Sequence, residues 1–342
     1  MKLFWLLLCV YAVSGQAQED LTINQLQFVG SHNSYKLKMN PFVFAALSAW
    51  DSKVAQSLDY SHIAIDAQLE MGVRKLELDV FFDATNSALV VGHVQLIDMN
   101  SSCSFLNECF KVLLDWSANN AEHVPIWISF NAKDQRIDGL PDPDVFSDQA
   151  FRVLDQLIEE AFDGKIIWPR DIDGLNWPRV NDSRGKFIFV LDEGGEKRQR
   201  YLNRWQERPM FTTVEPPHPA AAILIINDPI KQKDAITDWV NRGFMVRPRA
   251  DADTAEARMN LTERKMAAVE SGAQAISTDY YIVSEHFDSP YLVKPFIACN
   301  PVNTKSSCAF VFLRVVFTFK ASAIAEAPAS SNFFAINGSS VQ

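Results

Sequence analysis

The sequence predicts an α/β fold, a (β/α)8 barrel of the TIM type, formed by a single domain with an irregular C-terminal tail. Two observations favour it: short apolar runs alternate with amphipathic segments, and eight of these runs are suited to strands. Strands that are apolar on both faces are typical of a parallel sheet covered by helices. Eight strands favour a closed barrel over an open sheet, and 342 residues are enough for one such domain.

The predicted strands are short and alternate with helical patterns. In chain order we expect strands over 26–30, 73–82, 125–131, 165–168, 186–192, 221–227, 244–249 and 275–279. Helical periodicity is found over 63–71, 105–119, 144–161, 234–241 and 254–271. Two strands have the weakest signals, because 165–168 is very short and 221–227 follows a rigid proline-rich loop.

Residues 1–15 have the pattern of a secretory signal peptide. Lys2 gives a basic start, an apolar run follows, and Val13-Ser14-Gly15 offers small residues for cleavage. The run is too short to span a bilayer. We therefore predict a secreted protein with a barrel domain over 21–300 and a tail over 301–342, to which we assign no function. The tail does not end in a hydrophobic segment, which argues against a lipid anchor.

Cysteine usage agrees with export. Four cysteines remain once Cys9 leaves with the signal peptide, and they form two close pairs. The shortest loops join Cys103 to Cys109 and Cys299 to Cys308, although four cysteines permit three connectivities. Sequons for N-glycosylation stand at Asn100, Asn181, Asn260 and Asn337.

The net charge of −10 limits the classes of partner. An acidic surface repels phosphate backbones, so we predict no nucleic-acid binding. An anionic substrate must then be met by local cations or by a metal ion. The cysteine and histidine spacings do not resemble a zinc site, and no feature indicates an obligate protein partner.

Polar residues follow the first two predicted strands, at the end where such a barrel carries its reactive groups. The first strand ends just before His32 and Asn33, and the second carries Glu77 and Asp79. Residues two apart on a strand face the same side, so the two acids point together. Because adjacent carboxylates repel each other, they require a cation, a proton or an arginine between them, and a hard divalent cation is the natural partner.

A second histidine, His93, lies in the loop after the second predicted strand, directly behind Gly92. From there it can reach the same end of the barrel as His32. The two histidines can then flank a bound phosphate, with Asn33 and the acid pair beneath it. A neutral imidazole accepts the proton of the attacking hydroxyl, and a protonated one donates to the departing alkoxide. This set indicates phosphodiester chemistry.

Four further charged residues at strand ends are candidates for substrate binding. Arg247 and Arg249 share one face of the seventh predicted strand, a pairing that suits phosphate or polyol oxygens. Lys133 follows the third predicted strand, and Asp279 ends the last. Each of these charges is equally well explained as a solvated residue at the rim of the barrel.

Several motifs together resemble the calcium-dependent phosphoinositide phospholipase C family of bacterial and fungal secreted type. This family belongs to the wider barrel superfamily that includes glycerophosphodiester phosphodiesterases. The resemblance spans about residues 24–300 and implies a closed barrel with one bound calcium ion. The motifs are Ser31-His32-Asn33-Ser34-Tyr35, Glu77-Leu78-Asp79, Gly92-His93, Arg247-Pro248-Arg249-Ala250-Asp251-Ala252-Asp253-Thr254 and Ser277-Thr278-Asp279.

The resemblance also implies roles for individual residues. Carried over by position, His32 and His93 are the acid–base pair. Asn33, Glu77 and Asp79 are the ligands of calcium, with Mg²⁺ as a second candidate ion. The inositol 2-hydroxyl would attack phosphorus, so that diacylglycerol leaves and a cyclic inositol phosphate forms. The substrate would be a phosphoinositide or another phosphodiester lipid, reached by peripheral contact with a membrane.

One departure from the family pattern concerns the third predicted strand. Asn131 stands where the animal phosphoinositide enzymes have an acidic calcium ligand, so calcium is expected to bind more weakly unless Asp192 or Glu193 supplies an acid. A glycerophosphodiester phosphodiesterase or related lipase D on the same barrel is an alternative, since it would use the same groups. A secreted binding protein of weak activity is an alternative of a different class, because a fold does not fix a function.

Overall fold

The computed structural model describes residues 21–304, so the predicted signal peptide and all but the start of the predicted tail lie outside the described residues. The strands of this part of the chain are β1 Leu26–Ser31, β2 Lys75–Asp83, β3 Ala88–Val91, β4 Ile126–Lys133, β5 Phe187–Leu191, β6 Met210–Thr212, β7 Ile223–Ile225, β8 Met245–Arg247, β9 Ala275–Thr278 and β10 Ile297–Cys299. Two of them, β3 and β10, pair antiparallel with β2 and β1, and the other eight build the barrel.

The eight barrel strands are parallel. Ladders join β9 to β1, β1 to β2, β2 to β4, β4 to β5, β5 to β6, and β7 to β8. A parallel bridge between Arg249 and Ser277 ties the end of β8 to β9. Within residues 21–304, no ladder joins β6 to β7, so the hydrogen-bonded circle is open there. The (β/α)8 architecture expected from the sequence is confirmed.

Helices of varied length connect the strands. They are α1 Pro41–Trp50, α2 Ser52–Ser57, α3 Ile65–Glu70, α4 Leu106–Asn119, α5 Asp148–Ala161, α6 Gly195–Leu202, α7 Pro229–Asn241, α8 Ala255–Met259 and α9 Glu263–Glu270. The single helix predicted over 254–271 is wrong, because Asn260 adopts a left-handed conformation with φ of 51° and separates α8 from α9. The prediction lacks α1, α2 and α6.

One of the eight predicted strands is also wrong. The segment 165–168 makes only an isolated bridge from Ile166 to Phe187 and forms no strand. The missing barrel strand is β6, where Met210 pairs with Phe189 of β5. With only three residues, β6 is too short to carry an alternation pattern of its own. Its conformation is set by pairing with a neighbour distant in sequence.

His93 comes just after a short strand, β3, that the sequence pattern did not predict. The chain turns after β2 and returns as β3, with Val80 opposite Val91 and Asp83 opposite Ala88. This hairpin brings the backbone N–H of Gly92 to 3.2 Å from the carbonyl oxygen of Asp79. His93 therefore follows β3, and the hairpin returns it to the level of the acid pair.

The barrel interior changes from apolar to polar along the strands. On β4, Trp127 packs in an apolar cluster with Ile188 and Met245 of neighbouring strands. Its indole N–H donates to Ser129 Oγ at 2.8 Å, and Asn131 continues on the same face because residues two apart share a side. The amino-terminal half of the interior is thus filled by apolar side chains, and polar side chains collect at the carboxyl end.

One of the two predicted disulfide bonds lies within the described residues. Cys103 and Cys109 are joined to each other. Cys299 is disulfide-bonded as well, and Cys308, its predicted partner, lies outside the described residues. No helix in the described part of the chain is both long enough and apolar enough to cross a membrane.

Candidate active site

The acid pair on β2 is buried at the carboxyl end of the barrel. Glu77 and Asp79 are 2% and 1% exposed, and they alternate with core leucines along the strand. Both carboxylates share a neighbour on β4, since the Asn131 side-chain amide donates to Glu77 Oε1 at 3.1 Å and to Asp79 Oδ1 at 3.0 Å. The two acids therefore face the same side, as the strand pattern predicts.

Buried cations lie against these acids. Lys75 Nζ pairs with Glu77 Oε2 and also donates to the carbonyl oxygen of Ser31 at 3.2 Å. Lys133 Nζ lies 2.8 Å from Asp79 Oδ2. Burial alone would raise the pKa of Glu77, but Lys75 and His32 hold it well below its usual value. Both acids therefore have a lysine of the chain itself as a cationic partner.

A third ion pair completes this group. Arg247, 3% exposed, pairs with Asp192 at the end of β5 and lies 3.8 Å from Glu77 Oε2. Burial raises the pKa of Asp192, and Arg247 opposes that shift. Glu193 takes no part in these ion pairs with the acid pair, and its Oε1 accepts the backbone N–H of Ala132 at 2.7 Å. We call the pairs Glu77–Lys75, Asp79–Lys133 and Asp192–Arg247 the ionic cluster.

His32 stands beside this cluster, just after β1. Its Nδ1 atom lies 2.8 Å from Asp279 Oδ1, and its Nε2 atom lies 3.3 Å from Arg249 Nη1 and 3.4 Å from Glu77 Oε1. A neutral imidazole with its proton on Nδ1 satisfies both the aspartate and the arginine. Burial, together with the Arg249 charge, lowers the pKa of His32 below its ordinary value of 6.5. The side chain is 16% exposed, so it is not sealed from a ligand.

Asp279 is itself held by several groups. Arg249 Nη2 donates to its Oδ2 at 3.0 Å, and its backbone N–H donates to Asp251 Oδ1 at 2.8 Å. Burial would raise the pKa of Asp279, but His32 and Arg249 bring it to about 2. Burial and the charge of Asp279 raise the pKa of Asp251 to about 7. Asp279 is therefore the charged partner of His32, and Asp251 supports it from behind.

Asn33 presents an unused oxygen to the same region. Its backbone is left-handed, with φ of 46°, and its side-chain amide donates to Tyr60 Oη at 2.8 Å. The Oδ1 atom is buried and has no hydrogen-bond partner within the described residues. Buried acceptors are nearly always satisfied, so this open oxygen fits a ligand such as a cation.

His93 has an aspartate partner of its own. Its Nδ1 atom lies 3.0 Å from Asp98 Oδ2, and the buried Lys36 Nζ lies 3.0 Å from the same oxygen. The His93 side chain is 17% exposed. No contact within residues 21–304 joins His93 directly to His32. They are linked through β2, because His32 contacts Glu77 and Gly92 bonds to the Asp79 backbone.

Two of the remaining histidines, His62 and His123, are held by hydrogen bonds to the backbone. His62 Nε2 lies 2.7 Å from the backbone carbonyl of His32, and burial lowers the pKa of His62 to about 4. A neutral His62 therefore fixes the main chain of the active-site loop. His123 lies between Ser117 and Val124, far along the chain from the acid pair.

Several residues of the site were missed by sequence reasoning. The signal for Lys75 was present, since it lies two residues before Glu77 on the same face of β2. Asp251 lies in a motif that the sequence analysis quoted, without a role. Tyr60 and Asp98 lie in loops, and their contacts with Asn33 and His93 depend on the folded structure.

Comparisons with known proteins bear on the family and the fold of this chain. Residues 21–90 and 85–301 match the family model for phosphoinositide phospholipase C, Ca²⁺-dependent. The calcium-dependent phosphoinositol-specific phospholipase C from a Gram-negative bacterium, Pseudomonas sp., is 18% identical, and the match covers 82% of this chain and 97% of that chain with a TM-score of 0.52. No curated protein sequence matches this chain.

A second similar structure comes from another bacterium. The Ca²⁺-dependent phosphatidylinositol-specific phospholipase C from Streptomyces antibioticus is 16% identical over 76% of this chain and 95% of that chain, with a TM-score of 0.51. At such identities the structural likeness shows the barrel fold. The family model, by contrast, matches most of the chain, so the family assignment rests on that match.

Proposed function

Because this chain belongs to the calcium-dependent phosphoinositide phospholipase C family, whose members are phosphoric diester hydrolases, we propose that it cleaves phosphatidylinositol-type lipids with two histidines. The observation that carries the proposal is the position of His32. One imidazole nitrogen is fixed by Asp279 at 2.8 Å, the other faces Glu77 and Arg249, and the side chain as a whole is 16% exposed. A histidine oriented by a carboxylate in this way is suited to proton transfer.

His32 acts as the general base. Its Nδ1 proton is donated to Asp279, and its Nε2 lone pair is met by Arg249 Nη1 at 3.3 Å in this structure. When the inositol 2-hydroxyl takes the place of that arginine contact, the lone pair accepts the proton of the hydroxyl. The hydroxyl oxygen then forms a bond to phosphorus, and the bond from phosphorus to the diacylglycerol oxygen breaks. Asp279 stays ionised and stabilises the imidazolium that forms, as the aspartate of a catalytic triad does.

His93 acts as the general acid. In its protonated form it donates a proton to the departing diacylglycerol oxygen, so the products are diacylglycerol and a cyclic inositol phosphate. Asp98 accepts from Nδ1 at 3.0 Å and thereby orients the ring, so that Nε2 is the atom that donates to the leaving oxygen. In the second half-reaction water opens the cyclic phosphate, and the two histidines exchange roles.

Asn33, Glu77 and Asp79 would hold the calcium ion. They supply hard oxygen ligands, and the unsatisfied Asn33 Oδ1 supports the assignment. Held there, calcium would supply positive charge to offset that of the phosphoryl oxygens and would make a nearby hydroxyl more acidic. Asn131 adds no charge to the ligand set, and Asp192 and Glu193 are held by Arg247 and the Ala132 backbone, so we expect calcium to bind more weakly here than in a three-acid site. Mg²⁺ is the second candidate ion.

Charged residues around the acid pair would bind the substrate. Arg249 and Asp279 lie next to His32, where they can contact inositol hydroxyls or the phosphate. Lys133, 29% exposed at its side chain, can contact an anionic group of the lipid. Arg247 is buried against Asp192, so its part is to position the acids more than to touch the lipid.

We also propose that the protein is exported, with 1–15 removed, 21–300 as catalytic domain and 301–342 as a tail without an assigned role. The leader pattern supports export, and so does the Cys103–Cys109 disulfide, a bond typical of oxidising compartments. Three sequon asparagines, Asn100, Asn181 and Asn260, are exposed, and Asn337 lies outside the described residues.

The test is to incubate the purified protein with phosphatidylinositol, with and without calcium, and to follow cyclic inositol phosphate by phosphorus NMR. Calcium-dependent appearance of the cyclic product supports the proposal. Release of product from glycerophosphodiesters but not from phosphatidylinositol would assign the chain to the phosphodiesterase activity of the wider superfamily. Absence of turnover with every diester would contradict the proposed activity and favour a binding role.

A further inference from the structure

A further histidine, His286 in the loop after β9, lies between an aspartate and a serine. Its Nδ1 atom is 2.7 Å from Asp59 Oδ1, and its Nε2 atom is 2.8 Å from Ser61 Oγ. A neutral imidazole with its proton on Nδ1 satisfies both partners, because it donates to the carboxylate and accepts from the serine hydroxyl. The three side chains therefore form a hydrogen-bonded chain in the order that activates a serine nucleophile. We call them the serine triad.

The segment that carries the serine and the aspartate runs between α2 and α3 and belongs to no helix or strand. Its even-numbered residues, Tyr60 and His62, contact His32 at 3.4 Å and 2.7 Å. Its odd-numbered residues, Asp59 and Ser61, belong to the serine triad, since residues two apart on an extended backbone face the same side. The serine triad therefore lies on the side of this segment that does not contact His32.

Asp59 is held as a charged partner of the histidine. Arg258 Nη2, from α8, donates to its Oδ2 at 2.6 Å. The same guanidinium donates to Thr254 Oγ1 at 3.0 Å and lies over the ring of Phe287. Burial would raise the pKa of Asp59, but hydrogen bonds from His286 and Arg258 bring it below its ordinary value. The carboxylate is therefore ionised at neutral pH and can stabilise a positive imidazolium.

A small cavity lies over the serine and the histidine. Its volume is about 80 Å³, the space of a few water molecules, and both Ser61 and His286 line it. Ile282 and Val283 give it apolar walls. Ser284, also in the lining, accepts the backbone N–H of His286 at 3.1 Å, and among residues 21–304 its own hydroxyl proton has no acceptor. The cavity thus offers room for a short acyl chain and a hydroxyl that can donate to a carbonyl oxygen.

We propose that Ser61, His286 and Asp59 form a second catalytic centre, which hydrolyses carboxylic esters of short-chain acids such as acetate. The centre is independent of the proposed function, because it uses neither His32, His93 nor the calcium ligands. Its substrate also differs in kind, since the bond that breaks joins an acyl carbon to an alcohol oxygen.

The order of the hydrogen bonds gives the steps of the reaction. Ser61 Oγ forms a bond to the acyl carbon while its proton passes to His286 Nε2. The bond from the acyl carbon to the alcohol oxygen then breaks, and the imidazolium donates that proton to the departing oxygen. Water attacks the acyl-serine by the same route and releases the free acid and the original serine. Asp59 does not touch the ester and is a positioning residue, because it acts through His286.

The first experiment treats the intact protein with a small fluorophosphonate, which phosphonylates activated serine hydroxyls and releases fluoride. Peptide mass spectrometry should place the phosphonyl group on Ser61, and both Ser61→Ala and His286→Ala should lose the label. Ser57→Ala is the matched control and should be labelled as the wild type is, because the Ser57 hydroxyl donates to a backbone carbonyl at 2.8 Å. An unlabelled wild type, a label on another residue, or undiminished labelling of His286→Ala would overturn the proposal.

The second experiment measures hydrolysis of p-nitrophenyl acetate in the presence of a calcium chelator. The wild type should turn over the ester, and Ser61→Ala should lower kcat by at least about a hundredfold without a change in the denaturant midpoint. Asp59→Asn should lower kcat and leave KM unchanged, because the aspartate orients the base and does not bind the ester. An inactive wild type, together with a loss of stability in Ser61→Ala, would reduce these residues to a clamp between two loops and overturn the proposal.

Two further comparisons define the substrate and separate the two centres. Acetate should be hydrolysed faster than the decanoate ester, because the cavity is small, and equal rates would contradict the short-chain specificity. Ester hydrolysis by a protein that cleaves no phosphodiester would support the serine triad and contradict the proposed function. Phosphodiester cleavage without any ester hydrolysis would do the reverse.

Discussion

The Nδ1 atom of His32 lies 2.8 Å from Oδ1 of Asp279, although the two residues are 247 positions apart in the chain. The contact exists because β1 and β9 are neighbouring parallel strands, with Ser31 opposite Thr278. Each residue follows its strand directly, so closure of the barrel brings them together. This pair fixes the tautomer of His32 and with it the direction of proton transfer.

The two proposed catalytic histidines should each be required for turnover. We expect His32→Ala and His93→Ala to lower kcat by at least about a hundredfold, the usual scale for losing an acid–base group. The measurement is the initial rate of cyclic phosphate formation, with His123→Ala as the control. A variant that retains nearly the wild-type rate would exclude that histidine from the mechanism.

The Asp279→Asn variant should change the pH profile as well as the rate. His32 works as a base in its neutral form, so its pKa sets the acid limb of the profile. The carboxylate of Asp279 raises that pKa, and removing the negative charge lowers it further below 6.5. The acid limb should therefore move to lower pH while the plateau falls, because the imidazole loses its orienting partner. An unmoved acid limb would show that Asp279 does not act on His32.

Lys133 should compete with calcium for Asp79. Its Nζ lies 2.8 Å from Asp79 Oδ2, so Lys133→Met should tighten calcium binding, measured by calorimetry, by about tenfold or more, since one nearby unit charge contributes at least about 1 kcal/mol. Lys111→Met is the matched control, because Lys111 pairs with Asp115 on the exposed face of α4. Equal calcium affinities of the two variants would argue against Asp79 as a ligand.

Gly30 should be required for the position of Lys75. A methyl group at Gly30 would collide with the Lys75 side chain and come within 2.9 Å of its carbonyl oxygen. We therefore expect Gly30→Ala to lower the free energy of unfolding by about 2 kcal/mol through overpacking. Gly194→Ala is the control, since no atom lies within 4 Å of its added carbon. Denaturant unfolding of both variants measures the difference, and equal stabilities would refute the close-contact argument.

The sequence pattern predicted the fold class and most barrel strands, because β4 and β5 contain apolar runs and β2 alternates polar with apolar residues. It failed for β6, whose three residues become a strand only by pairing with β5. It also failed for α1, which is apolar all round and shows no helical alternation. Local periodicity therefore predicts elements that bury one face. It misses elements whose conformation depends on tertiary contacts, such as β6, and helices that are apolar on all sides, such as α1.

The strand pattern was equally informative about part of the site. It indicated that Glu77 and Asp79 face one side and that His32 follows β1, and the structure brings these residues together. It did not indicate the cations beside the acids, because Lys133 and Arg247 come from other strands. Their approach to Asp79 and Asp192 depends on register between strands, which no local pattern contains.

The ionic cluster bears on whether the protein needs calcium in order to fold. Three cations face three carboxylates, so the mouth of the barrel is electrically compensated by the chain itself. A chain of this kind can complete its folding where free calcium is scarce and acquire the ion only afterwards. Chelators should then silence the enzyme reversibly and leave the barrel intact, in contrast to domains that depend on a metal to fold.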